Sequence, residues 1–248
     1  MTVTERDESP AFNCVDATRT AIGQGPTAML VVLTVLPLAV IAGQLGFGAT
    51  GIVGYSLYKI ALLVPPLIYC RMYGLSVRHD VFKLHHWRRG IKQSVCLGIL
   101  ALALFWGAYF TIGDWLLDKP AIAQKIGERF GVTASTVLLV APITIILNSL
   151  LEEFFYRGFA FGQLVRRNKV VAYLLPATIF TLQHLMFTND WAGWGVIVLG
   201  VVALFVFALV LEAVYTATDT LVAAWLIHVF GDVAMMGVAV ELLLYGGR

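Results

Sequence analysis

The sequence predicts an all-α fold, a polytopic transmembrane helical bundle of about seven spans. Three observations carry that expectation. Of the 248 residues, 59% are apolar and only 13% charged, with a mean hydropathy of +0.84. That is too apolar for one soluble core, in which charged residues approach roughly a quarter of the total. The apolar residues fall in runs of roughly 20, long enough to cross a bilayer as helices. No alternating pattern suited to a membrane barrel is present, so each span must satisfy its own backbone hydrogen bonds as a helix.

The elements follow in order. Residues 1–24 form a polar, mildly acidic tail with no basic cluster leading into a short apolar core and no small-residue cleavage site. The tail is therefore expected to be cytoplasmic and the first apolar run to remain as an anchor. Spans are expected at about 27–46, 52–71, 94–112, 136–158, 171–187, 195–213 and 221–244. They form a single transmembrane domain over 25–248. Lys59 in the second span is expected to snorkel or pair with an acidic group, and Pro65 and Pro66 to kink the helix. The following stretch, VRHDVFKLHHWRRGIK, sets Phe82 and Trp87 beside several cations. A headgroup-level helix suits it better than a metal site of His79, His85 and His86. Residues 113–135 are expected to be a loop of balanced charge. Glu212 and Asp219 read as capping or solvating the turn before the last span.

Basic loops stay in the cytoplasm. Arg71, Arg78, Lys83, Arg88, Arg89 and Lys92 follow the second span, and Arg157, Arg166, Arg167 and Lys169 follow the fourth. Both loops therefore share the cytoplasmic side, whereas 113–135 and TNDWAGW at 188–194 lie outside. The small size and short loops suit a bacterial inner membrane. A net charge of +2 spread over short clusters lacks the footprint of a nucleic-acid binder. Cys14, Cys70 and Cys96 are odd in number and match no metal spacing, so no disulfide framework is expected.

A charge at the bilayer centre costs at least about 2.5 kcal/mol, which makes intramembrane ionisable groups candidates for function or paired structure. In Asn148-Ser149-Leu150-Leu151-Glu152-Glu153-Phe154-Phe155-Tyr156-Arg157, spacings of four set Asn148 with Glu152 on one helix face and Glu153 with Arg157 on a neighbouring one. Glu153 and Arg157 are expected to be a structural ion pair. Glu152, about 100° away and facing an amide, is free to act as a base. Phe180 and His184 repeat the spacing in the fifth span, where Phe180 stacks under the imidazole, and His228 and Asp232 repeat it in the seventh. Glu152 lies 16 residues before Asn168 and His184 lies 16 after it. In an antiparallel pair both fall roughly 24 Å from that turn and could share a water. His228, roughly 15 Å along its own helix, is reachable with tilt. The expected site therefore lies between spans four, five and seven.

Glu-Glu-x-x-x-Arg at 152–157, Phe-x-x-x-His at 180–184 and His-x-x-x-Asp at 228–232, in that order on separate membrane helices, resemble the CPBP family. That family comprises type II CAAX prenyl endopeptidases and Abi bacteriocin-processing and immunity proteins. The resemblance covers about 135–240. It implies an intramembrane endopeptidase that hydrolyses a peptide bond of a membrane-associated protein or peptide, with Glu152 activating water and His184 assisting. His228 and Asp232 would position the substrate carbonyl or stabilise its oxyanion. The family often ends its last motif with Asn and precedes it with Thr-Gly, whereas this chain has Asp232 and Thr216-Ala217-Thr218-Asp219. The alternative for Asp232 is therefore to orient His228 or to ligate a metal.

Family members are often described as metalloproteases, and Glu152, His184, His228 and Asp232 would satisfy zinc by type. His-Glu-x-x-His is absent and a glutamate-activated water needs no metal, so the reading without a cofactor is preferred. Two other classes stay open: a transporter or ion carrier with Lys59, Glu152 and the histidines in a relay, and a non-catalytic immunity or scaffold protein.

Overall fold

The computed structural model describes residues 25–46, 51–188 and 193–246, without the side chains of 45–46, 51–56 and 187–188. The expectations for the 1–24 tail, for Cys14 and for most of the TNDWAGW loop lie outside these residues. The helices are α1 (Thr27–Gly46), α2 (Gly51–Met72), α3 (Ile91–Leu116), α4 (Lys119–Phe130), α5 (Val137–Leu164), α6 (Lys169–Thr188), α7 (Trp194–Thr218) and α8 (Leu221–Tyr245). No strand occurs among the described residues.

Every expected span folds as one long helix. Five of them, in α1, α3, α5, α7 and α8, are long and apolar enough by themselves to cross a membrane. Leu104, Phe110, Leu139, Trp194 and Leu199 are among the many large apolar side chains they leave exposed, as helices facing lipid do. Two expectations change. Residues 113–135 are no simple loop: Asp118 caps α4 by accepting from the Ala121 amide at 3.0 Å, Pro120 stands in its first turn, and Gly131 closes it with φ +67°. α4 then buries Ile122 and Ile126 against Val137, Ala239 and Leu242.

The second change concerns 77–90, expected at headgroup level. Trp87 is exposed with the Arg88 guanidinium 4.8 Å from its ring centre, as expected there. Phe82, however, turns inward and stacks on Phe154 at 5.7 Å. The backbone around it is tied down as well: the Leu221 amide donates to the Phe82 carbonyl and the Tyr215 hydroxyl to that of Val81. Gly158 of α5 admits Val81 this closely, because a Cβ there would lie 2.6 Å from Cγ1 of Val81. Lys83 and Asp219, both in the left-handed region (φ +50° and +53°), meet at 2.6 Å, and Nδ1 of His86 lies 3.0 Å from the other Asp219 oxygen.

At the same end Arg167 donates to the Gly25 carbonyl at 2.6 Å and to the Tyr69 hydroxyl at 3.4 Å. The start of α1, the end of α2, the α5–α6 turn and the α7–α8 turn are thereby gathered with the cations of 71–92. α8 packs along α3 and crosses α5, while α6 lies against α1, α5 and α7. Gly98 and Gly237 set the α3–α8 contact, with Phe230 packed over the first and Trp106 over the second. α5 is not uniformly α-helical. Wider π turns occupy Thr144–Asn148, just after Pro142, and Phe154–Phe161, leaving Ser149–Glu153 as a short α segment between them.

Candidate active site

Those five residues carry both glutamates of the double-glutamate motif. Glu152 and Glu153 are buried on different sides of α5. Oε1 of Glu153 accepts from Nη1 of Arg157 at 2.9 Å, the expected ion pair, and both side chains are fully enclosed. The guanidinium lies 4.6 Å from the Phe180 ring centre and donates through Nη2 to the Ala208 carbonyl. Arg157 is therefore a core residue, leaving Arg166, Arg167 and Lys169 as the basic residues that follow the fourth span.

Glu152 does not face Asn148 alone. Lys59 of α2 reaches between them, donating to Oε1 of Glu152 at 3.1 Å and to Oδ1 of Asn148. Of the two expected fates of Lys59, pairing with an acid is the one observed. Oε2 of Glu152 is buried and accepts no hydrogen bond. It lies 4.0 Å from Nε2 of His184 on α6 and 4.0 Å from Nε2 of His228 on α8. The matched depth of Glu152 and His184 about Asn168 thus appears as a side-chain approach.

Each imidazole is fixed through its other nitrogen. Nδ1 of His184 lies 2.8 Å from the Phe180 carbonyl, which can only accept, so Nδ1 carries the proton. Phe180 does stack by His184, at 4.4 Å between ring centres. Nδ1 of His228 lies 2.7 Å from Oε1 of Glu153, and the Phe180 and Phe207 rings meet the His228 ring edge-on. Asp232 sits one turn on, with Oδ1 3.6 Å from Nε2 of His228, and its Oδ2 is buried without a hydrogen bond.

Three site features escaped the sequence reading. Gln183, next to His184, accepts through Oε1 from the hydroxyls of both Tyr58 and Tyr156. Trp225 donates to Ser149 at 3.0 Å, and Ser149 to the Ile145 carbonyl at 2.5 Å. Glu212 is not at the turn: α7 runs on to Thr218, and the Glu212 carboxylate is fully buried, within electrostatic reach of Arg157 and Glu153. Trp225 lies three residues before His228 and Ser149 four before Glu153, same-face helical spacings that could have drawn attention to both. Nothing in the sequence joins Tyr58 to Gln183.

The donor set suits a divalent metal by type. Both imidazoles have Nδ1 engaged and Nε2 4.0 Å from Oε2 of Glu152, and Glu152 and Asp232 each retain a buried, unpartnered oxygen. Elsewhere His85, His86 and Asp219 bring ligand atoms within 4.8 Å of one another. The Asp219 and His86 atoms already engage each other, Lys83 and Arg89 in an electrostatic clasp.

Residues 134–234 match the family model described as type II CAAX prenyl endopeptidase Rce1-like. The matched stretch contains Asn148, Glu152, Glu153, Arg157, Phe180, His184, His228 and Asp232, and it excludes Tyr58 and Lys59. No curated protein and no solved structure matches the chain.

Proposed function

We propose that this chain, Rce1-like over residues 134–234 and thereby of the CPBP family of intramembrane proteases, hydrolyses a peptide bond of a membrane-associated protein or peptide with a water activated by Glu152. The observation that carries this reading is the Glu152 Oε2 atom, buried, without a hydrogen bond, and 4.0 Å from two imidazole nitrogens. Acceptors that far apart are bridged by one water donating a hydrogen to each.

Glu152 takes a proton from the water as its oxygen attacks the substrate carbonyl carbon. His184, with Nδ1 held by the Phe180 carbonyl, keeps its Nε2 lone pair on that water and aligns it. Nε2 of His228 is the nitrogen left for substrate. In its doubly protonated form it donates to the oxyanion, while Glu153 at Nδ1 orients the ring and Asp232 stands beside the donating nitrogen. The C–N bond then breaks, and the proton held by Glu152 passes to the leaving amine. Glu152→Gln and His184→Ala should each abolish cleavage of a membrane peptide in proteoliposomes while the protein stays folded. Cleavage at the wild-type rate in both variants would remove the proposal.

The unpartnered Glu152 and Asp232 oxygens favour a second reading, in which these two residues, with Nε2 of His184 and of His228, hold a divalent metal. When bound, such an ion acts as a Lewis acid and lowers the pKa of a bound water. Loss of activity on chelator titration, restored by zinc, would select it. A transporter reading would instead require substrate-driven flux in the same proteoliposomes. We assign the end that gathers the basic residues to the cytoplasm of a bacterial inner membrane, which puts the N-terminus inside.

A further inference from the structure

Lys59 belongs to α2, outside the stretch 134–234, yet it is the cation hydrogen-bonded to Glu152. Its ammonium spans one turn of α5, bonded to Asn148 at one end and Glu152 at the other, and stands 4.5 Å from the Tyr58 ring centre. The carboxylate torsion of a glutamate is broad and two-fold, so the side chain by itself does not decide which oxygen faces which neighbour. A charge-assisted bond to one oxygen does decide it. Here Oε1 is taken by the ammonium, and Oε2 is the oxygen presented to His184 and His228. The same cation compensates a carboxylate that would be costly alone in the bilayer interior.

We propose that Lys59 is the positioning residue for Glu152: by anchoring Oε1 it holds Oε2 toward the two imidazoles, so α2 completes a site whose reactive residues, Glu152, His184, His228 and Asp232, all lie within 134–234. The inference rests on the reading of Glu152 as the base. It also gives α2 a task in the reaction, since its Lys59 bonds both Asn148 and Glu152 of α5.

The test combines kinetics with a thermal double-variant cycle on the full chain in proteoliposomes and detergent. Lys59→Met should lower kcat about 10²-fold with KM within about twofold, because the base is lost as a transition-state interaction and substrate binding is not. Lys59→Arg, which keeps the cation, should recover kcat to within about tenfold of wild type. The Tm losses of Lys59→Met and Glu152→Gln should not add, the double variant losing about 2–4 °C less than their sum. If Lys59→Met does not accumulate, Lys59→Gln takes its place in both arms. Wild-type kcat in the uncharged variant, or additive Tm losses, would overturn the proposal. Unchanged cleavage by Glu152→Gln would instead overturn the role of Glu152 as base, and the thermal cycle would still decide whether Lys59 holds its carboxylate.

Discussion

Nδ1 of His228 stands 2.7 Å from Oε1 of Glu153, the same oxygen that Arg157 holds at 2.9 Å. The ion pair and the reactive residues, separable in the sequence, are joined through one atom. Arg157→Met should therefore affect both stability and activity. Removing one partner of a buried pair leaves an uncompensated charge and costs about 3–5 kcal/mol. Tm and cleavage should fall together, with a larger Tm loss than that of Glu152→Gln, which keeps an amide in place of the carboxylate. An Arg157→Met protein that melts like wild type would show that Glu153 does not depend on the guanidinium.

Gln183 is expected to be structural out of proportion to its size. Gln183→Leu removes the acceptor that the hydroxyls of Tyr58 and Tyr156 share. Each buried donor left without an acceptor costs about 1–3 kcal/mol. The thermal loss should shrink markedly in a Tyr58→Phe/Tyr156→Phe/Gln183→Leu triple variant, where both hydroxyls are removed with their shared acceptor. Equal losses in the single and triple variants would refute the account.

Close approach of α3 and α8 gives a matched pair of substitutions. Gly98→Leu must displace Phe230, whose Cδ2 would lie 2.2 Å from the new Cβ and which stands two residues from both His228 and Asp232. Overpacking of this kind costs about 1–3 kcal/mol, and cleavage should fall with it. Gly107→Leu, on the same helix with nothing within 4 Å, should stay within about 0.5 kcal/mol of wild type. Calorimetry and cleavage rates on both proteins make the comparison.

The clasp between 77–90 and the α7–α8 turn should be sensitive to acid. Partial burial pushes the Asp219 carboxyl up, but the hydrogen bond and charge of Lys83, with those of His86, prevail and hold it below its ordinary value of 3.8. A group whose folded pKa is depressed contributes stability above its unfolded pKa and loses it as pH falls through the folded one. The Tm difference between wild type and Asp219→Asn should thus be full at neutral pH and close progressively below about pH 4. A difference that stays constant down to pH 2 would mean that Asp219 acts only through its backbone conformation.

The spans were readable because lipid imposes a length and a composition on each of them, and Glu152, Glu153, Arg157, His184, His228 and Asp232 stood out as ionisable groups in that background. α4 was missed because a charged stretch between spans resembles a loop. Its signals, Asp118 before Pro120 and Gly131 at the end, were nevertheless present. Glu212 was misplaced because the sixth span was ended five residues early, at 213, whereas α7 continues to Thr218 and carries Glu212 two turns inside. Phe82 was put at the surface because a cation-rich neighbourhood outweighed one aromatic ring. The Lys59–Glu152 and Tyr58–Gln183 contacts join residues 93 and 125 positions apart, and no local pattern encodes such partners.

The wide turns on either side of Ser149–Glu153 have a bearing on how this chain can change. A π turn closes its hydrogen bond one residue later than an α turn. Each one therefore behaves as a spare tooth in a gear, shifting everything beyond it by about 100°. Losing one residue from 144–148 would relax that stretch to ordinary helix and leave both carboxylates on their present bearings, because the wide turn already takes up one residue. Winding 144–148 into ordinary helix at its full length would instead swing both acids toward the wrong neighbours. A relative one residue shorter here can therefore keep its acids in place by losing the wide turn, and the count of residues between Pro142 and Glu152 is as informative as their identity.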